Sequence, residues 1–178
     1  MSDREAERRR SLLLTRIALY GYTMVEIYGA DEASSPTYAY TLGLPGEMGH
    51  PELAVCGLSS IASVEVITSV VALLYDTPQL EGRVTVPARR RPLWIAPLPG
   101  ASVESRLGLA DWWRREHHDG QRATAKQIIV SDPAGRFPWE RGCRPGHGRE
   151  QSLLLPQIMV RAPSRTVADQ QGGASATG

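Results

Sequence analysis

Lysine is almost missing from this chain. Among 178 residues with 20 basic side chains, Lys126 is the one lysine and the rest are arginine. That bias is what a GC-rich coding sequence produces, and it says little about function. Cysteine is scarce too, with only Cys56 and Cys143. Two thiols do not suggest the disulfide framework of a secreted scaffold. Cys56, inside the apolar run LAVCGL, reads as a small buried hydrophobe. Long hydrophobic runs are absent: nothing approaches the roughly 18 apolar residues of a membrane span. The opening MSDREAERRRSLLLTR is too charged, and its apolar part too short, for a secretion signal. These absences predict a cytoplasmic chain with no membrane partner. An excess of one charge is lacking as well. A net charge of +1 removes the global attraction that nucleic-acid binding relies on. No GxGxxG, P-loop, GxSxG or HExxH pattern occurs, which removes the common cofactor, nucleotide and hydrolase signatures.

What remains is an ordinary globular composition, 42% hydrophobic and 22% charged. The length favours one domain. Residues 3–18 carry helix formers, with Leu12, Leu13, Ile17 and Ala18 as a small apolar stripe. Segments 22–29, 37–44 and 53–58 read as strands, the last apolar throughout and so central. Ser59 or Ser60 can cap a helix that ends near Asp76, with Val64, Ile67, Val71 and Leu74 at helical spacing. Two short strands follow, 82–87 and 91–98, around the basic connection ARRR. A helix over 101–120 and a core strand over 125–131 complete the pattern. The short turns between the first strands make them antiparallel neighbours. The expected architecture is α+β: a mixed, mainly antiparallel sheet, with barrel-like closure as a variant, and two to three packed helices. The chain divides into an N-terminal helix (1–20), one α+β domain (21–160) and a tail (161–178) too poor in apolar residues to order itself. Within that domain, 151–160 is apolar enough to dock back.

Candidate chemistry is thin. In GHPEL, Pro51 holds His50 out of the helical region, and an extended chain points His50 and Glu52 to one side. A carboxylate beside an imidazole is a plausible acid/base pair, so these are the catalytic candidates. The plainer alternative makes Glu52 a cap for exposed backbone amides. On strand 37–44, Tyr38, Tyr40 and Leu42 share one face. Thr37, Ala39, Thr41 and Gly43 form a small-residue face that a backbone or ligand can approach. Cys143, His147 and Glu150 do not have the paired spacing of a zinc site, so no metal is expected. The ARRR run is either a solvated loop or an anion clamp.

DPAGRFPWE, residues 132–140, is the densest stretch. Asp132, Pro133 and Gly135 suit a type I turn position by position. Phe137 precedes a proline and is extended, so Phe137 and Trp139 project together. The loop is either a plug closing the core or a rim that presents Arg136, Trp139 and Glu140 to a ligand.

Together, TYAYTLGLPGEMGHPELAVCGL, QIIVSDPAGRFPWE and EQSLLLP resemble a bacterial domain-of-unknown-function family, number 4262, common in actinobacteria. Tyr40, Thr41, Gly43, His50, Pro51, Glu52, Asp132, Gly135, Phe137, Trp139 and Glu140 carry the likeness. Two departures stand out: Tyr38 replaces a phenylalanine, and VSD replaces VWPD. The family has no settled activity. YTLGL followed by PELAVCGLS is also similar to a strand pair of flavin-reductase-like split barrels, which implies a flavin as one option; no cofactor is otherwise specified.

The resulting expectation is a small-molecule-binding domain or enzyme. Its site would gather His50 and Glu52 with Tyr40, Thr41, Arg136, Trp139 and Glu140. The competing expectation is a non-catalytic protein partner that uses the FPW aromatics and Trp94.

Overall fold

The structure, a computed structural model, describes residues 3–29, 37–87, 89–118 and 120–151. The expectations for a docking segment through 160 and for the tail lie outside the described residues. Helix α1 (Asp3–Tyr20) leads into strands β1 (Thr23–Ile27) and β2 (Tyr38–Leu42). A short helix, α2 (Leu44–Met48), separates β2 from β3 (Glu52–Cys56), and helix α3 (Ser60–Leu74) follows. Next come β4 (Gly82–Val84), β5 (Leu93–Pro97), α4 (Gly100–Arg106), α5 (Gly108–His117), β6 (Ala125–Val130) and α6 (His147–Glu150).

The strands form one sheet in the order β1-β2-β3-β6-β5-β4. β1, β2 and β3 pair antiparallel, as their short connections require. β3 and β6 are parallel, with Glu52 opposite Ala125. β5 joins β6 and β4 joins β5, both antiparallel. The architecture is therefore α+β with a mixed sheet. The sheet is not closed: β1 and β4 are its outer strands, and no ladder joins them. The barrel-like variant is thereby corrected, and the split-barrel likeness does not extend to the architecture. β4, at three residues, offers too short an edge to continue the ladder.

Both faces of the sheet are covered. Leu53, Val55, Ile128 and Val130 point to one side and pack with Val66, Ile67, Val70 and Leu74 of α3. Tyr40, Leu42, Ala54 and Ile129 point to the other and meet Val103, Leu107, Ala110 and Trp113 of α4 and α5. Leu13, Leu14 and Ile17 of α1 pack on that second side. These memberships alternate along each strand, as a pleat dictates.

Two helix expectations need correction. The expected single helix over 101–120 is two, because Leu107 departs from helical geometry at φ −114° and ψ 44°. Pro99 stands at the start of α4. In α3 the buried stripe includes Val66, while Val64 is 43% exposed. Ser59 does cap α3, accepting from the Ala62 amide at 3.3 Å.

Candidate functional site

Glu52 begins β3 and is fully buried. Its Oε1 accepts from the Gly43 amide at 2.8 Å, and its Oε2 accepts from the Thr41 hydroxyl at 2.5 Å. Thr41 Oγ1 in turn accepts from the Leu53 amide at 2.8 Å. Burial pushes the carboxyl up to about 7, against the hydrogen bonds from Thr41, Gly43 and Leu44 that lower it. Glu52 thus closes the β2–α2 turn, the geometry of the amide-capping alternative. Gly43 is also closely approached, while Ala39 of the same expected face packs in the α3-side core. Gly43 sits at φ +109°, and an added Cβ would stand 2.9 Å from the Gly21 carbonyl oxygen and from Ile17. The end of α1, not a ligand, makes the close approach there.

His50 is 3% exposed. Its Nδ1 lies 2.7 Å from the Pro51 carbonyl oxygen. A carbonyl only accepts, so in the neutral ring Nδ1 carries the hydrogen and Nε2 keeps a lone pair. That Nε2 is buried with no hydrogen-bond partner among the described residues. Burial holds the imidazole below its ordinary pKa; the Pro51 bond works the other way, and Lys126 adds to the lowering. Lys126 is itself buried, donating to the Leu80 carbonyl at 3.0 Å and pairing with Glu81 at 3.1 Å. Tyr40 is buried, and burial pushes its phenol well above the usual range.

The 132–140 loop is tied internally. Asp132 Oδ1 accepts from the Ala134 and Arg136 amides at 2.9 and 2.8 Å, and Oδ2 accepts from the Arg144 amide at 2.8 Å. These bonds hold the Asp132 carboxyl below its ordinary pKa. The Gly135 amide closes the turn on the Asp132 carbonyl at 2.9 Å. Phe137 is fully buried, stacked on Trp139 at 5.2 Å, and both rings meet Trp94 edge-on. Glu140 accepts from the Phe137 amide at 2.8 Å and faces Arg83 at 3.5 Å. Arg136 donates to the Gly142 carbonyl. The loop plugs the second core, and its aromatics are largely used on one another.

The expected composite site is not assembled. His50 and Glu52 stand where β3 and β6 begin, whereas the 132–140 loop leaves the far end of β6. A strand of six residues spans about 17 Å at roughly 3.3 Å per residue. The face differs for His50 as well, while Tyr40 and Trp139 share the second core. Lys126, beside His50, alternates onto the α3 side with Ile128, and Phe137 belongs to the opposite core.

A groove lies instead at the carboxyl ends of β3 and β6. Gln151 closes the strand ends: its Oε1 accepts from the Val130 amide at 3.1 Å, and its Nε2 donates to the Cys56 carbonyl at 3.0 Å. His147 Nε2 reaches the Val130 carbonyl at 2.8 Å. Around them Gly57, Leu58, Ser131 and Pro133, with Arg91 and Arg144, line a cavity of about 330 Å³. It continues into a recess of about 430 Å³ lined by Ala62, Arg89 and Arg90, with Leu58, Arg91 and Val130 shared. No carboxylate is among the described lining residues. Cys143 Sγ lies 3.8 Å from the Arg136 carbonyl oxygen.

The model of one protein family, described as Domain of unknown function (DUF4262), matches residues 16–144. The chain belongs to the DUF4262 family. Neither a curated protein nor a solved structure matches it. The DUF4262 match takes in all seven residues expected to form the site, and Arg89, Arg90, Arg91 and Arg144 of the groove. It stops short of His147 and Gln151, so the closing of the groove floor, like EQSLLLP, lies beyond the matched span. No helix among the described residues is long and apolar enough to cross a membrane. The groove was missed because its walls come from separate segments, around Leu58, Arg90, Pro133 and Gln151. Its one legible signal was ARRR, read above as a solvated loop or a clamp.

Proposed function

We propose that this DUF4262 member is a small-molecule-binding domain whose ligand sits in the groove at the carboxyl ends of β3 and β6. One observation carries the reading. The chain leaves these two parallel strands in opposite directions, β3 into α3 on one face and β6 into the plug loop on the other. Divergence of that kind opens a crevice beyond the strand ends, the place where open sheets bind ligands. Leu58, Ala62 and Val130 supply apolar wall, and the arginines supply polar groups that converge on it. A thermal-shift screen of metabolites on the full chain tests it. A ligand held in the groove at a hundred times its dissociation constant stabilises by about 2.7 kcal/mol. Ala62→Trp, which fills the recess from the first turn of α3, is expected to abolish that shift. A shift unchanged by Ala62→Trp would place the ligand elsewhere.

A second reading gives His50 an acid/base role at the opposite end of β3. The observation favouring it is the buried Nε2 lone pair, which has no partner among the described residues. Glu52 supports that end of the sheet rather than the ring. Long-range proton–nitrogen spectra are expected to show Nε2 unprotonated at pH 7. A protonated Nε2 at that pH would remove the reading.

A further inference from the structure

From the charges in the groove, and resting on the small-molecule reading above, we infer that the ligand is a phosphorylated compound with a short apolar body. Arg89, Arg90 and Arg91 arrive from the β4–β5 connection. Arg144 arrives from a separate loop, whose backbone is pinned there by the Asp132 carboxylate. Two independent segments thus bring four guanidinium groups to one groove in a chain of net charge +1. The rest of the chain is accordingly net negative, so the positive potential is concentrated here.

Among the described residues no carboxylate lines the groove, and neither Arg90 nor Arg91 has an ion-pair partner. Arg89 Nε is buried with no hydrogen-bond partner among the described residues. Guanidinium forks match the oxygens of a phosphate, and the three on the β4–β5 connection suit a dianion better than a monocarboxylate. The start of the 15-residue helix α3 adds its amide ends on the same side. Leu58, Ala62 and Val130 cover the remaining wall, which calls for an apolar group next to the phosphate. A nucleic-acid strand would need a basic track running beyond the groove, and the low net charge provides none.

Calorimetry on the full chain, with phenyl phosphate, benzoate, benzyl alcohol and a twelve-base oligodeoxythymidine as probes, tests the inference. Phenyl phosphate is expected to bind at least tenfold more tightly than benzoate, and benzyl alcohol not to bind measurably. Arg91→Gln is expected to weaken phenyl phosphate about tenfold and Arg90→Gln/Arg91→Gln about a hundredfold, with circular dichroism unchanged because both side chains are exposed. Arg115→Gln, on α5, is expected to leave binding as it is. Benzyl alcohol binding as well as phenyl phosphate would overturn the phosphate class while leaving the groove reading intact. A preference for benzoate, tighter binding of the oligonucleotide, or phenyl phosphate affinity indifferent to Arg90 and Arg91 would each overturn it too. Absence of binding by every probe would overturn it, and an empty metabolite screen would then remove the groove reading as well.

Discussion

Glu52 is a buried carboxyl that the fold uses and that pH can reach. Its pKa is raised from 4.5 to about 7, with burial the largest cause. The sign follows from linkage: a group that binds its proton more tightly when folded stabilises the fold at low pH. That contribution is complete below the unfolded value and is lost as pH rises through the folded one. At about 1.4 kcal/mol per pH unit the window is on the order of 3 kcal/mol. Unfolding in urea is therefore expected to show stability declining between about pH 4.5 and 7. Glu52→Gln keeps an acceptor for Gly43 and is expected to flatten that decline. A profile identical in the two proteins would show that Glu52 ionises as freely folded as unfolded.

At the scale of elements, the 132–140 loop behaves as a structural closure. Asp132 orders the turn, Arg83 lies 5.2 Å over the Phe137 ring, and Phe137 fills the second core. Phe137→Ala is expected to cost about 3–5 kcal/mol in denaturant unfolding. A loss below about 1 kcal/mol would mean that the ring packs loosely enough to be dispensable. Much of the element pattern was legible in the sequence. Alternation marked Tyr38–Leu42, and an unbroken apolar run marked β3 as central, because pleat and burial act on neighbouring residues. The turn at Asp132 was legible for the same reason. The pairing of β3 with β6 was not, since Glu52 and Ala125 are brought together only by tertiary packing. The break at Leu107 was equally hidden, as no proline or flanking cap marks it. The five-residue α2 was read as a turn, being built from LPGEM.

For the whole molecule, that single unforeseen pairing decides where chemistry can occur. It sends His50 to one end of the sheet and the plug loop to the other, and the groove lies at the plug-loop end, beside α3. Residue types were readable one at a time; their convergence was not. The account stands on the groove being the binding site. Its most direct test is a proton–nitrogen correlation map of the labelled full chain, titrated with phenyl phosphate. The predicted result is shifts confined to Gly57, Leu58, Ala62, Arg89, Arg91, Ser131 and Arg144, with the amides of His50, Glu52 and Gly43 unmoved. Shifts centred on His50 and Lys126, with Leu58 and Arg91 silent, would contradict it.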